Sequence, residues 1–502
     1  MLLKRNSILV HWPLLLSMLL YGALLVGLTY KVIARCDSTF VYAIDDPYIH
    51  MAMAKNLARS GVWGVTRFEF SASSSSPLWT LLLAFLFVLF GVYATLPFIL
   101  NILIGAILLT LTHFVTKRFI SSKILLFGFL LLFILAVPIP VIAFFGMEHL
   151  LQIVVDLLFI LYLASLLVQM DEPRSSQVIG LALLAALCTL VRYEGMFIIL
   201  LSVLLAVLRK RIRLALVIAL SGFAPIILIG LWYVWHGWAF FPNSVLLKGS
   251  VPTLGSGYSL LLKWMYSKAY AYRFPDYSTT TYLPLLFVAL LLIIVYNWAH
   301  MRSIYKDVRL LLGILVSGVI LLHVMFADIV NYFRYDAYLA ALALIAVVSN
   351  LQLAGGFFAA QFLSSKGYGY YINRACLLVA ALYLVLPLLN RGGIALRDTP
   401  TYAKNIYQQQ VQMAFFLKTY FSGETIVAND IGAISFFDDI RLVDLWGLAS
   451  IEQLGRCGVD PSTRNLSAAS PGSATERLRL STRNLLTSGA GCQQNGRWLA
   501  NG

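Results

Sequence analysis

The chain has 502 residues, of which 60% are hydrophobic and 12% are charged. A soluble globular protein carries about twice that charged fraction, so the composition excludes an ordinary soluble enzyme. The apolar residues fall in runs long enough to cross a hydrocarbon core of about 30 Å, which predicts a polytopic membrane protein with helical spans. The net charge of +15 is explained by Lys and Arg retained on the cytoplasmic side, so no nucleic-acid partner is predicted.

The first apolar run, 12–33, follows Lys4 and Arg5 and predicts a retained signal anchor. The segment 78–93 is apolar but short, and we expect it to be re-entrant or juxtamembrane. The first run and ten further runs together give about eleven spans. Those ten further runs are 97–116, 124–145, 150–169, 176–192, 194–208, 213–235, 283–298, 308–326, 335–352 and 375–390.

The distribution of Lys and Arg predicts the orientation in the plasma (inner) membrane. If 78–93 does not cross, the basic clusters between spans share the cytoplasmic side with the N-terminus; if it does cross, they move outside. We therefore predict that the first loop (34–96), the loop 236–282 and the tail after 391 are extracytoplasmic. Polar residues that look out of place gather on this face, which indicates a site there rather than a solute pathway through the membrane.

The acidic pair Asp45-Asp46 stands in the first loop, directly before Pro47. Pro suits the first turn of a helix, so Asp46 can be an N-cap, but this interpretation does not account for Asp45. The periodicity that follows, up to Arg59, predicts an amphipathic helix along the membrane surface. Partial desolvation there raises the pKa of a carboxylate and strengthens it as a base. Asp45 and Asp46 are the catalytic candidates, with Asp45 as the first choice.

Other polar residues lie at the ends of predicted spans on the same face. Arg192 and Glu194 form either a structural ion pair in a tight turn or part of a site. Arg192, Lys248 and Arg334 would together suit a phosphate group. The full set of substrate-binding candidates is Tyr48, His50, Asn56, Glu148, Arg192, Glu194, Asn243, Lys248 and Arg334.

Motifs for other chemistry are missing from the sequence. The five cysteines are scattered without metal-ligand spacing, so neither a zinc site nor a disulfide framework is predicted. No Walker loop, GxGxxG, nucleophile elbow or HExxH motif occurs in a supporting context. An activated substrate must therefore arrive on a lipid, or the protein is not an enzyme.

Several of these segments resemble one family. The Asp-Asp-x-Tyr-Ile box at 45–49 and the Ser-Pro-Leu-Trp-Thr-Leu-Leu-Leu-Ala segment at 76–84 resemble the GT-C glycosyltransferases. The Gly-Met-Glu turn at 146–148, the Arg-Tyr-Glu-Gly turn at 192–195 and Pro-Asn-Ser-Val-Leu-Leu-Lys at 242–248 are similar to one branch, the mycobacterial arabinofuranosyltransferase B type. The resemblance covers most of the first 450 residues, and the Pro inside the acidic box departs from the commoner pattern.

The resemblance implies transfer of a sugar from a polyprenyl-phosphate donor to a cell-envelope glycan, lipid or protein acceptor, with inversion. It implies that Asp45 or Asp46 deprotonates the acceptor hydroxyl. By the same resemblance, Arg192, Lys248 and Arg334 would hold the donor phosphate. Glu148, Glu194 and Asn243 would contact the sugar or the acceptor. A divalent cation occurs in some relatives and not in others. The acidic pair is one place for it, without a third ligand that the sequence identifies.

Two other functions stay open at this point. A membrane transporter or lipid flippase would carry ionisable residues within its spans and an internal repeat. Asp156 is one such deep residue, and no repeat is visible. The other is a structural or assembly protein without chemistry.

The predicted fold is an all-α polytopic membrane protein of GT-C type with a small extracytoplasmic α/β C-terminal part. We predict a transmembrane domain over 1–390 and a partial α/β domain over 391–455. Asp430 and Asp444 in that domain are either turn residues or acceptor contacts. The Ser-, Arg- and Gly-rich tail 456–502 cannot build a core and is expected to be disordered.

Overall fold

The computed structural model describes residues 2–248, 282–301, 303–327, 332–362 and 368–450. The tail 456–502 and most of the loop 236–282 lie outside these residues. Every predicted apolar run lies in helices, with 124–145 divided between two of them, because a backbone in hydrocarbon must satisfy its own hydrogen bonds. The helices of the membrane part are α1 (Leu2–Arg35), α2 (Asp46–Ser60), α3 (Pro77–Phe90), α4 (Leu96–Thr116), α5 (Lys123–Ala136), α6 (Ile139–Phe144), α7 (His149–Val168), α8 (Ser175–Val191), α9 (Gly195–Leu208), α10 (Ile212–Trp235), α11 (Asn243–Lys248), α12 (Tyr282–Met301), α13 (Val308–Phe326), α14 (Ala337–Phe362) and α15 (Tyr368–Ile406).

Seven helices among the described residues are long and apolar enough to cross a membrane. Four shorter apolar helices accompany them, including α3 with its 14 residues. At 1.5 Å per residue, α3 is about 21 Å long, short of a hydrocarbon core of about 30 Å. The predicted class, a polytopic helical membrane protein with a small α/β part, is confirmed. The count of about eleven spans and the sidedness stay predictions.

The helix α2 differs from its prediction as a surface helix. Its residues from Pro47 to Asn56 are buried, because α3 packs on one side and the C-terminal part covers another. The helix therefore carries its polar side chains into protein contacts rather than toward lipid headgroups.

The C-terminal part continues directly from α15, which runs through the predicted domain boundary at 390 without a break. A π-helical turn, Tyr407–Val411, leads into α16 (Gln412–Tyr420). Two parallel strands follow, β1 (Thr425–Ala428) and β2 (Arg441–Asp444), joined by α17 (Gly432–Phe437). Thr425 pairs with Arg441 and Ala428 with Asp444. We call residues 407–450 the C-terminal unit.

A buried ion pair ties several helices together at the same end as this unit. Arg391 of α15 donates to both carboxylate oxygens of Asp336, each at 2.8 Å, and both side chains are 1% exposed. Its remaining donors reach the carbonyl oxygens of Ala136 and Phe333, at 3.0 and 2.7 Å. Tyr282 donates to the same carboxylate. Each nitrogen of this guanidinium thus has a hydrogen-bond partner, which its burial requires.

Candidate active site

A cavity of about 360 Å³ lies where the first loop, the turn before α14 and the C-terminal unit meet. Its volume falls in the range of small-molecule sites. It is lined by Ala43, Ile44, Asp45, Asp46, Ile49, Tyr332, Arg334, Ile406, Gln410, Asn429, Asp430, Ile431, Trp446 and Leu448. Both predicted catalytic residues and one predicted cation therefore share one cavity.

Asp45 occupies the N-cap position of α2, but its side chain does not cap that helix. Its carboxylate instead accepts hydrogen bonds from the backbone N–H groups of Gly432 and Ala433, at 2.6 and 2.8 Å. Burial raises the pKa of Asp45 to about 7, although these two amides favour the charged form. Asp430 and Asp46 nearby raise it further. Asp45 is thus a carboxyl group that titrates near neutral pH.

Gly432 is required at this contact by the close approach of Asp45. A Cβ atom at position 432 would lie 2.4 Å from the Asp45 carbonyl oxygen and 2.6 Å from its Oδ2. Any larger residue must therefore displace the first loop from the C-terminal unit.

Lys55, nearly three turns further along α2, holds the other end of α17. Its ammonium donates to the carbonyl oxygens of Ser435 and Phe436 at 3.0 and 2.9 Å, and to Asp439 at 3.2 Å. An acidic group at the N-terminus of a helix and a cation at its C-terminus both complement the helix dipole. The helix α2 therefore clamps α17 at both ends through Asp45 and Lys55.

Asp46 forms a salt bridge with Arg334, with 2.6 Å between Oδ2 and Nη2. The alternative that Asp46 is an N-cap is wrong, since α2 begins at Asp46 itself and the N-cap position belongs to Asp45. Arg334 is almost fully buried, and its Nη1 also contacts Met147 Sδ at 2.8 Å. Arg334 is the one cation of the predicted phosphate patch that lines the cavity among the described residues.

A buried charged layer lies behind the cavity. Arg192 binds Glu194 with two hydrogen bonds, at 2.6 and 3.1 Å, and also donates to the fully buried Glu148. Both interpretations of the Arg192–Glu194 turn stay open, but here its guanidinium already has two carboxylate partners. The guanidinium groups of Arg192 and Arg334 lie 5.5 and 4.9 Å from the ring of Tyr335, so one aromatic ring connects this layer to the cavity.

The remaining candidates lie within protein contacts near the cavity. His50 Nε2 is 4.0 Å from Glu148, and its Nδ1 shares a hydrogen bond with Thr80 at 3.1 Å. Tyr48 accepts from the Tyr42 amide at 3.3 Å. Substrate contacts of Tyr48, His50, Asn56 and Asn243 stay predictions.

Two amide side chains hold backbone segments. Asn56 donates to Gly64 and Val65, at 3.0 and 2.9 Å, and shapes the first loop. Asn243 donates to Gly447 at 2.7 Å and holds the C-terminal unit. Lys248 ends α11, and its side chain lies outside the described residues.

The site also contains residues that the sequence did not single out. Gln410 and Trp446 line the cavity, and Gly432 and Ala433 hold Asp45. The only signal for Gly432 and Ala433 was a strand followed by Asn429-Asp430 and a Gly, which is typical of any turn. The carboxyl end of β1 leads to Gly432 and Ala433 at the first loop, whereas Gln410 lies in the π-helical turn and Trp446 follows β2.

A divalent cation does not fit the acidic pair in this arrangement. Asp45 accepts two amide hydrogen bonds and Asp46 pairs with a guanidinium, so both carboxylates are engaged. Among the described residues no group of three or more His, Cys, Asp or Glu could hold a metal ion.

Comparison with known proteins supports the fold. A family model described as a domain of unknown function, DUF8728, matches residues 404–472. No curated protein matches the chain. The structure is similar to ArnT from Cupriavidus metallidurans bound to undecaprenyl phosphate, with a TM-score of 0.50, 13% identity and 88% of each chain covered. The chain thus shares its overall fold with ArnT, whereas the arabinofuranosyltransferase B branch is not specifically supported.

Proposed function

We propose that this protein is a membrane glycosyltransferase that moves a sugar from a polyprenyl-phosphate donor to an acceptor hydroxyl at the extracytoplasmic face, with inversion. The observation that carries this proposal is the cavity that joins Asp45, Asp46 and Arg334. It combines a carboxyl group that titrates near neutral pH with a guanidinium suited to phosphate. The solved ArnT structure holds undecaprenyl phosphate, and we extend that donor class to this chain.

Asp45 is the proposed general base. Its two amide contacts fix the carboxylate, and each oxygen keeps a second lone pair for an acceptor hydroxyl. The acceptor oxygen forms a bond to the anomeric carbon as its proton passes to Asp45. The bond from the anomeric carbon to the phosphate oxygen breaks, and polyprenyl phosphate leaves with the electron pair. A pKa near the working pH is the best compromise between being deprotonated and accepting a proton.

Arg334 is the proposed donor-phosphate contact, and Asp46 is its positioning residue. Negative charge develops on the phosphate as the bond breaks, and a preorganised cation stabilises it. Asp46 holds the guanidinium at 2.6 Å and so directs it to the cavity. Arg192, whose charge is already matched by Glu148 and Glu194, acts as a buried support behind Tyr335.

The transporter alternative rests on Asp156, which is fully buried within α7. A transport pathway would need further ionisable residues along the membrane depth. The charged clusters described above instead gather at the end of the helices that carries the cavity. We therefore prefer the glycosyltransferase.

The test is transfer of a labelled sugar from polyprenyl phosphate by membranes that contain each variant. Asp45→Asn should lower the rate by about 10² to 10⁴, the usual contribution of a general base. Asp46→Asn should weaken donor use, seen as a higher KM for donor. Asp398→Asn, in an exposed pair with Arg397 on α15, is the control and should match the parent. Equal rates for the parent and both first-loop variants would remove the catalytic assignment.

The pH dependence separates a base from a structural aspartate. Asp45 must lose its proton to act, and its pKa is raised to about 7. The transfer rate should therefore rise about tenfold per pH unit below pH 7 and level off above it. A profile that is flat between pH 5 and 7 in the parent would contradict this role for Asp45.

A further inference from the structure

One wall of the cavity consists of side chains that the proposed chemistry does not use. Gln410, Asn429, Asp430 and Trp446 line it, and all belong to the C-terminal unit. They fall within residues 404–472, matched by the domain of unknown function. This wall faces the same space as Asp45 and Arg334, so a ligand of the wall would lie beside the proposed base.

The wall is fixed to the membrane part directly after Trp446, at Gly447 and Leu448. Ser73 of the first loop donates to the Leu448 carbonyl oxygen at 2.8 Å, and Asn243 donates to Gly447 at 2.7 Å. Asp444 accepts from the amides of Trp446 and Ala449, at 2.9 and 2.7 Å. The turn that carries the indole ring is therefore rigid, and preorganised contacts lose little entropy when a ligand binds.

The side chains of the wall suit a polyhydroxylated ligand. Trp446 is 42% exposed, so part of its ring is available for stacking. Asn429 and Gln410 offer donors and acceptors, as hydroxyl groups do in return. Gln410 donates to Asp430 at 3.0 Å, whereas its Oε1 is buried and accepts no hydrogen bond within the described residues. A ligand hydroxyl would satisfy that oxygen.

The charges of the cavity select against an anionic ligand at this wall. Three carboxyl groups line the cavity, those of Asp45, Asp46 and Asp430, against one guanidinium. In the proposed reaction that guanidinium, on Arg334, serves the donor phosphate, so it does not offset the charge of Asp430 at this wall. A phosphate or uronate beside Asp430 would meet like charge, which is unfavourable at short range. A neutral sugar meets no such penalty.

We infer that the C-terminal unit is the acceptor-binding half of the cavity, and that its ligand is a neutral carbohydrate. The inference rests on the proposed function, because it takes the opposite side of the cavity for the lipid-linked donor. It assigns the region matched by the domain of unknown function a role in recognising the acceptor. Trp446 stacks on a sugar ring, while Gln410, Asn429 and Asp430 bind its hydroxyl groups.

The test is binding of the full chain in detergent to an array of neutral oligosaccharides and uronic-acid trisaccharides. The parent should bind members of the neutral set and leave the uronic-acid set unbound. Trp446→Ala should weaken that binding at least tenfold. Its neighbour Leu445→Ala is the control, because Leu445 is similarly exposed, at 41%, but does not line the cavity, and it should bind as the parent does. Asp430→Asn should bring uronic-acid binding closer to neutral binding.

Transfer assays on the same variants separate this inference from the proposed function. Trp446→Ala should raise the KM for acceptor and leave the KM for donor unchanged. If the parent transfers sugar but binds no neutral glycan, or if Trp446→Ala binds as the parent does, the acceptor assignment is overturned. If glycan binding depends on Trp446 but no lipid-linked sugar is transferred, the proposed function fails while the carbohydrate subsite stands.

Discussion

The two charged ends of the helices are built in different ways. At the cavity end, the partners are buried: Asp45 accepts from the Gly432 amide across 387 positions, and the buried Arg192 donates to the fully buried Glu148. At the other end, Arg309 pairs with Asp307 two residues away, and Arg211 reaches the segment 169–172. The second end is also exposed, since Glu172 is 74% exposed in its pair. Buried ion pairs therefore mark the end that carries the site. More exposed ion pairs of basic residues mark the end predicted to face the cytoplasm.

Removing a buried charge at the cavity end should have the largest effect on stability. Arg391→Met leaves the carboxylate of Asp336 buried without its guanidinium, which should cost about 3–5 kcal/mol in free energy of unfolding. Thermal unfolding of the purified protein in detergent measures it. The double variant Arg391→Met/Asp336→Asn should recover part of the loss. A single variant as stable as the parent would show that this pair does not hold the helices.

A smaller effect is expected where the C-terminal unit meets the first loop. Gly432→Ala places a Cβ atom within 2.6 Å of Asp45 and should lower the transfer rate by about tenfold or more, about 1.4 kcal/mol, while the protein stays folded. Gly393→Ala is the matched control, because no atom lies within 4 Å of a Cβ there. Equal transfer rates in the two variants would mean that the clamp on α17 does not position Asp45.

The smallest effect is expected at the basic end. Glu172→Gln removes an exposed partner of Arg211, and exposed ion pairs contribute at most about 1 kcal/mol. Unfolding should shift little, and the transfer rate should not change. A loss as large as that of Arg391→Met would contradict the contrast between the ends.

The sequence predicted the membrane fold well because helical spans are dictated by local composition. Each apolar run lies in helices, and the predicted polytopic helical class with a small α/β part is confirmed. The acidic box also identified the cavity, since Asp45 and Asp46 line it together with Arg334.

The sequence could not predict contacts that depend on tertiary packing. The sequence indicated a helix cap at Asp46, but the partner of Asp46 is Arg334, which is far away in the sequence. The α2 helix looked amphipathic, yet the C-terminal unit buries it. No periodicity of α2 indicates that Gly432 and Ala433 would take the carboxylate of Asp45.

The most direct test of the central claim is a comparison of donors for the parent protein in membranes. The same labelled sugar is supplied either on polyprenyl phosphate or on a nucleoside diphosphate, with a neutral oligosaccharide as acceptor. We predict that label reaches the oligosaccharide from polyprenyl phosphate alone, with the opposite anomeric configuration to that of the donor. Transfer from the nucleotide sugar alone, or no transfer from either donor to any neutral acceptor, would contradict the account.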